Sequence, residues 1–299
     1  MRDQLSDVDA LATGTAFADV SFWRKVAVTG SEALDWLDNL LTADLSGLEA
    51  GHARQSLLLS PTGRIRALFI CTLFDESPLL IQDPEQPKAI DALLDPYVLS
   101  SDVRLEDRTN TVELFAFPGR ADLHDEAILT NASISTPSCL GSGADLLTPA
   151  EHHDQMLAGL RLGFRQVGDE VVESWRISAG FPKFGVDVFD DDLPQEAGLT
   201  GAVSFEKGCY LGQEAVAKVQ NLGHPRRLVL RFVASGPISP GDPIVSDGNE
   251  VGEITSVTKR DGDWFALGRI KWEARGGSLS AANGVVLTMR EGSDRKDNP

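Results

Sequence analysis

The sequence predicts an α+β protein that ends in a small β-barrel or sandwich. Two apolar runs, at residues 53–59 and 65–74, flank a Ser-Pro-Thr-Gly turn, and further short strand-like runs adjoin a helical segment near residue 90. Strands grouped around one helix are typical of an α+β sheet unit. After Gly223, short strand-like runs recur at close and even spacing, which indicates a compact all-β unit.

The composition is that of a water-soluble globular protein. The chain has 299 residues, 42% hydrophobic and 24% charged, so two or three domains are expected. A net charge of −18 argues against an extensive nucleic-acid surface. No apolar run approaches the roughly 20 residues that span a bilayer, and the first residues lack a secretion-signal pattern. We therefore expect no membrane segment, a cytoplasmic location and a monomer.

The elements of the N-terminal half follow from local patterns. Thr29 and Glu32 have capping-box spacing, which predicts a helix from Ser31 to Leu41. Pro61 and Gly63 suit a type I turn, so the two apolar runs around them are expected to form a hairpin. The remaining elements expected before Pro118 are a strand at 79–81, a helix at 88–94, a strand at 103–105 and a strand at 112–117.

The second half is divided by polar and glycine-rich stretches. Residues 131–143 are rich in Ser, Thr and Gly and are predicted to form a surface loop. Two helices are expected next, one over 149–160 and one that Asp169 caps. Asp247-Gly248 and Asp261-Gly262 are hairpin signals within the C-terminal strands.

Three cysteines are spaced too widely to indicate a disulfide framework or a zinc site. Cys71 lies in an apolar run and is expected in the core, and Cys139 falls in the predicted loop. Cys209 alone has reactive-looking neighbours. It lies in the stretch Lys207-Gly208-Cys209-Tyr210-Leu211-Gly212-Gln213-Glu214, in which a thiol, an ammonium, a phenol, an amide and a carboxylate stand between glycines.

Polar groups gathered on a glycine-rich loop favour a functional site over a plain turn before a helix. The segment from Phe205 to Arg231 also carries five basic and two acidic residues, in a chain that is acidic overall. Such a positive island can concentrate an anionic ligand, although a solvated face with scattered charges is the alternative.

This stretch resembles the K-G-C-Y-x-G-Q-E signature of the YgfZ family of folate-binding proteins, which are relatives of the glycine-cleavage T-protein, an aminomethyltransferase. Pro194-Gln195-Glu196-Ala197 is similar to the segment that precedes the signature there. The resemblance implies a three-domain ring around a folate-binding hole. The implied domains are residues 1–50 with 110–222, an inserted domain at 51–109, and a barrel at 223–299.

The sequence departs from the T-protein pattern at two positions. The segment Trp175–Gly185 resembles R-x-E-A-G-x-x-x-Y-G, whose glutamate contacts the pterin ring in that family, but Ser178 takes its place here. The catalytic aspartate of a G-G-I-x-D-D-type segment is also missing, because Ala67 and Leu68 occupy the carboxylate positions. These departures make aminomethyl transfer the less favoured activity.

The resemblance implies tetrahydrofolate or another folate as the ligand. The cofactor-binding candidates are Lys207, Arg226 and Arg227 for the glutamate tail, Trp175 or Tyr210 for ring packing, Gln213 and Glu214 for the pterin edge, and Arg176 in the pterin-contact segment. Cys209 and Lys207 are the catalytic candidates, since a nearby ammonium favours a thiolate. A buried, inert Cys209 and a Trp175 that is simply core are the alternatives.

Three functions stay open. The favoured one is a folate-binding protein that supports iron–sulfur cluster assembly or repair and, through iron–sulfur enzymes, tRNA modification. The second is a one-carbon transferase that uses tetrahydrofolate. The third is a scaffold that binds protein partners without a small ligand.

Overall fold

The computed structural model describes residues 6–121, 123 and 132–290, which form two five-stranded sheets and a closed barrel. The helices are α1 (Asp7–Ala12), α2 (Ala33–Leu40), α3 (Ile90–Leu94), α4 (His153–Gly163), α5 (Asp169–Ala179), α6 (Pro194–Ala197) and α7 (Gln213–Leu222). The strands are β1 (Ala16–Asp19), β2 (Arg24–Thr29), β3 (Ala53–Leu59), β4 (Ile65–Phe74), β5 (Ser77–Gln82), β6 (Arg104–Asp107), β7 (Val112–Phe117), β8 (Ser133–Ser135), β9 (Ala144–Pro149), β10 (Arg165–Val167), β11 (Arg227–Ala234), β12 (Pro243–Ser246), β13 (Asn249–Arg260), β14 (Asp263–Lys271), β15 (Leu279–Ala281) and β16 (Val286–Arg290).

The first sheet has the strand order β10-β1-β7-β9-β8, with β1 parallel to β10 and the other pairs antiparallel. One face holds α4 over Phe17, Phe115 and Phe117, all fully buried. The other face packs against α1 and α5. The predicted surface loop at 131–143 contains β8, which pairs with β9, and Asn131 lies outside the described residues.

The second sheet is antiparallel throughout, in the order β3-β4-β5-β2-β6. The predicted hairpin corresponds to β3 and β4, with Gly63 at φ +77° in the turn. Strand β2 lies between β5 and β6 in this sheet. The sheet therefore includes a strand from before Gly51, where the inserted domain was predicted to begin. The division into three domains stays a prediction.

The predicted capping box at Thr29 and Glu32 is wrong. Helix α2 begins at Ala33, and no side chain caps it. The Thr29 hydroxyl donates instead to Glu106, and Glu32 accepts a hydrogen bond from the backbone N–H of Asp102 at 2.6 Å. These partners come from across the sheet and from the loop before β6, so long-range pairing overrides the local cap.

The C-terminal strands close into a barrel in the order β11-β14-β13-β12-β15-β16. Both predicted hairpin turns are present, with φ +50° and +78° at Asp247 and Gly248 and +53° and +92° at Asp261 and Gly262. Two consecutive positive φ values are what a type I′ hairpin turn requires. The α+β class and the C-terminal barrel are therefore confirmed.

Contacts between α5 and β13 join the barrel to the rest of the molecule. The Ser174 and Thr258 hydroxyls are 2.6 Å apart, and Arg176 donates to Ser256 at 3.0 Å. Helix α5 thus has one side on the first sheet and another on the barrel. In the part of the chain that the structure describes, no helix is long and apolar enough to cross a membrane.

Candidate ligand-binding cleft

A cleft opens between the second sheet and α5. Its empty volume is about 1080 Å³, including the part open to solvent. The segments that line it are residues 20–23, strands β3, β4 and β5, residues 83–86, residues 139–141, helix α5 and residues 181–184. Because these segments are distant in sequence, the cleft exists only in the folded chain.

The cleft walls are largely apolar. Leu68, Ile70 and Ile81 line it from the second sheet, and the rings of Trp23 and Phe181 line it from the flanking segments. An added Cβ at Gly141, whose φ is +106°, would overlap the Phe181 ring, so only glycine lets this wall close up. A concave apolar site with a few polar groups is the usual form of a small-molecule pocket.

Carboxylates supply most of the charged lining. Asp83, Glu85 and Glu173 line the cleft together with Lys183, whose Nζ is 2.5 Å from Glu85 Oε2 and 4.0 Å from Glu173 Oε2. Burial raises the pKa of Asp83 above its ordinary value, against a hydrogen bond from the Glu85 N–H that lowers it. The cleft can therefore accept hydrogen bonds from a ligand at several points.

A buried carboxylate stands directly behind the cleft wall. Asp145 is fully buried and accepts hydrogen bonds from the Ser138 hydroxyl at 2.5 Å and the Cys139 N–H at 2.7 Å. Burial raises the pKa of Asp145 to about 7. Burial also raises the pKa of the Cys139 thiol, which lines the cleft. Asp145 thus holds the wall segment that Cys139 and Gly141 belong to.

The predicted signature loop lies elsewhere, against α2 and the β3–β4 turn. The Lys207 side chain is 2% exposed. Its ammonium donates to the Asp38 carboxylate at 2.8 Å and to the carbonyls of Asp38, Leu41 and Ala43 at 2.5, 3.2 and 2.7 Å. An ammonium has three N–H donors, and these four acceptor oxygens leave none of them free. Lys207 is therefore engaged with the end of α2, and its proposed pairing with the Cys209 thiolate finds no support.

The other residues of the loop divide between core and surface. Tyr210 is 6% exposed within a hydrophobic cluster, and burial raises its pKa to about 12. Gly212, at φ +82°, packs so closely on the hairpin turn that a Cβ would overlap the Ser60 carbonyl oxygen. Cys209 is an exposed free thiol, and Gln213 and Glu214 begin α7. The loop residues do not line the described cleft.

The predicted residues outside the loop also take structural positions. Trp175 packs in the core, and its indole N–H points to the Leu140 carbonyl. Ser178 is buried and donates back to Trp175 O at 3.0 Å within α5, and it does not line the cleft. Arg226 and Arg227 lie at the start of the barrel, where Arg227 is 3.8 Å from Asp191. Of the predicted cofactor-binding residues, all of which the structure describes, Arg176 alone lines the cleft.

Three charged residues of the cleft were not among those predicted from the sequence: Asp83, Glu173 and Lys183. Glu173 stands three residues before Arg176, the spacing of an ion pair on one helix face, and this was the available signal. Asp83 and Lys183 stand in loops without a pattern that distinguishes them.

The fold and the cleft together define an α+β protein with a concave site between its second sheet and α5. Residues 3–121 match the family described as the GCVT N-terminal domain. Over 309 aligned residues the chain is 27% identical to a chloroplastic Arabidopsis thaliana protein provisionally named a transferase, covering 95% of this chain and 70% of that one. It is 26% identical to an aminomethyltransferase of Lysinibacillus sphaericus, covering 84% and 76% of the two chains.

A crystal structure of the glycine cleavage system aminomethyltransferase T from Bartonella henselae superposes with a TM-score of 0.79. The two chains are 23% identical, and the match covers 95% of this chain and 88% of the other. This chain therefore has the aminomethyltransferase-like fold.

Proposed function

We propose that the protein binds tetrahydrofolate or another folate in the cleft and acts as a YgfZ-like accessory protein. In this role it supports iron–sulfur cluster assembly or repair and, through iron–sulfur enzymes, tRNA modification. The observation that carries the proposal is the cleft itself. It combines a concave shape, aromatic walls and clustered carboxylates, on a fold shared with an aminomethyltransferase.

The lining fits a reduced or oxidised pterin. Aromatic rings such as Trp23 and Phe181 can pack on a flat heterocycle. The carboxylates of Asp83 and Glu173 can accept hydrogen bonds from an aminopyrimidine edge. Lys183 is the one lysine among the described residues of the lining, so a ligand carboxylate would meet it at the cost of its pairing with Glu85.

Calorimetric titration with tetrahydrofolate and with folate tests the ligand. We expect saturable binding of one molecule and quenching of Trp23 fluorescence, with the quenching reduced in Trp23→Phe. The absence of binding heat with both compounds would reject the proposal and favour a protein-interaction scaffold.

Cys209 is the proposed reactive thiol, supported by its exposure. In cells, Cys209→Ser is expected to lower the activity of iron–sulfur enzymes while the protein level stays normal. Unchanged activity of those enzymes would remove Cys209 from the proposal. A cytoplasmic location stays a prediction, since one relative is chloroplastic by name.

A one-carbon transferase that uses tetrahydrofolate is the second candidate. It is favoured by similarity over 84% of the chain to a protein named aminomethyltransferase. Against it, the positions expected to carry a catalytic carboxylate hold Ala67 and Leu68. Release or transfer of a one-carbon unit from a loaded folate, measured with purified protein, distinguishes the two candidates.

A further inference from the structure

The charge of the cleft restricts the chemistry of its ligand. Its described lining contains four carboxylates, from Asp83, Glu85, Asp169 and Glu173, against the two cations Lys183 and Arg176. Carboxylates accept hydrogen bonds and do not donate them when ionised. The part of a ligand that meets these carboxylates therefore presents N–H donors.

Glu173 is the carboxylate whose orientation is fixed most firmly. Arg176 Nε donates to Glu173 Oε2 at 2.7 Å, and Arg176 Nη2 donates to Glu173 Oε1 at 2.5 Å. A two-pronged arginine–carboxylate pair sets both distance and angle. Each Glu173 oxygen keeps a lone pair beyond the one that Arg176 uses, and the side chain is 44% exposed.

Arg176 itself has no donor left for a ligand. Besides the two bonds to Glu173, it donates to Phe181 O at 3.2 Å, to Asp187 Oδ2 at 2.8 Å and to Ser256 Oγ at 3.0 Å. A guanidinium has five N–H donors, and these five bonds use all of them. Arg176 is therefore a positioning residue, and the expectation that it binds the cofactor directly finds no support.

The C-terminal barrel fixes the other end of this chain of contacts. Asp187 is fully buried, and its Oδ1 accepts hydrogen bonds from Thr255 Oγ1 at 2.5 Å and Ser256 Oγ at 2.7 Å. Both hydroxyls belong to β13. The other oxygen, Oδ2, accepts from Arg176 and from the Lys183 N–H at 2.9 Å. One buried carboxylate thus ties the barrel to Arg176 and to the backbone of a cleft residue.

We propose that Glu173 recognises the N–H donor edge of the ligand, and that the barrel holds its carboxylate in place through Asp187 and Arg176. The proposal rests on folate binding and goes further by naming the recognising residue and a role for the barrel in ligand selection. It makes donor recognition depend on two hydroxyl groups of a domain whose described residues do not line the cleft.

Two small probes test it, pterin and lumazine. They share a ring system, but lumazine has an oxo acceptor where pterin has the 2-amino donor. A hydrogen bond from a ligand to a charged group is worth about 1.5–3 kcal/mol, so the wild type should prefer pterin by about tenfold or more. In Glu173→Gln the preference should fall to within about threefold, because the amide can pair with either edge. Glu170→Gln removes the same charge from an exposed site on α5 and should keep the wild-type preference.

The barrel part is tested by Thr255→Val combined with Ser256→Ala. We expect this variant to bind pterin with a preference over lumazine lowered several-fold, while Thr255→Ser, which keeps the hydroxyl, retains it. Thermal unfolding of each variant, followed by circular dichroism, shows whether the fold is kept. Single Ser256→Ala serves as the fallback if the double variant does not fold.

The outcomes distinguish this inference from the function on which it rests. Folate binding with an unchanged pterin preference in Glu173→Gln overturns this inference alone. If the folded Thr255→Val, Ser256→Ala variant keeps the full preference for pterin over lumazine, the role of the barrel is overturned. Absence of folate and pterin binding in the wild type overturns the proposed function and this inference together.

Discussion

The cleft and the signature loop show opposite relations between sequence and structure. The loop gathers reactive groups within eight residues, yet Lys207 is engaged with α2 and Tyr210 lies in the core. The cleft draws its carboxylates from segments as far apart as Asp83 and Glu173 and leaves them facing one cavity. Closeness along the chain therefore does not show that side chains converge, because backbone direction and burial decide where each one points.

The loop serves in the structure mainly as a connection between elements. Lys207 ties it to the C-terminal end of α2, and Gly212 fits it against the turn between β3 and β4. The exposed thiol of Cys209 is the part that these contacts leave available. Variants that remove either the contacts of the loop or its thiol therefore measure two separate properties, the stability of the fold and the reactivity of Cys209.

Replacement of Lys207 by Met should give the largest effect. The methionine keeps the apolar stem but leaves three carbonyl oxygens without this donor, and Asp38 Oδ1 keeps only its hydrogen bond from the Leu45 N–H. The Asp38 side chain is 22% exposed, so most of the loss comes from the carbonyl oxygens. A buried acceptor without a donor costs about 1–3 kcal/mol, so the free energy of unfolding should fall by about 4 kcal/mol or more. Chemical denaturation measures it.

Lys218→Met is the matched control, because Lys218 is exposed on α7. Its effect should stay within about 0.5 kcal/mol. If Lys207→Met were as stable as this control, the Lys207 ammonium would not hold the loop in place. The structural role assigned to the loop would then be wrong.

The second effect is a pH dependence of the free energy of unfolding, caused by Asp145 behind the wall of the cleft. Burial raises the pKa of Asp145 to about 7, so the folded protein holds its proton more tightly than the unfolded chain does. The free energy of unfolding should therefore decrease as pH rises from about 4 to about 7 and level off above that. A pKa that is higher by one pH unit in the folded state contributes about 1.4 kcal/mol, and the shift of roughly three units gives a total change on the order of 4 kcal/mol across this range.

Asp145→Asn removes the titration and serves as the reference. The free energy of unfolding of both proteins is measured by denaturation at several pH values across this range. It should decline less steeply with pH in the variant than in the wild type. An equal decline of the free energy of unfolding in both proteins would mean that Asp145 is ionised throughout the range despite its burial.

The sequence was sufficient for the elements that depend on local chemistry. Asp247-Gly248 and Asp261-Gly262 carry the positive φ angles that their hairpins require, and the apolar runs of β3 and β4 pair as expected. It was insufficient where distant partners compete. Glu32 bonds to the loop at Asp102, so the helix cap predicted from spacing does not form.

The candidate site was harder to predict for the same reason. Family resemblance points to the segment of Trp175 and Ser178, but their side chains are buried in the protein interior. Glu173, earlier on the same helix, faces the cleft. Which face of a helix meets a cavity is set by the packing of sheets and barrel around it, and that packing is not visible in the segment alone.

Cys209 should give the smallest effect on stability and the clearest effect on reactivity. Because its side chain is exposed, Cys209→Ser should change the free energy of unfolding by less than about 0.5 kcal/mol. In the native protein one thiol should react quickly with a soluble disulfide reagent, and this fast phase should be absent from the variant. Cys71 is an internal reference, since burial raises the pKa of its thiol to about 12. If Cys209 instead reacted only as fast as Cys71, its thiol would be shielded in solution, and the loop would retain its contacts without an available reactive group.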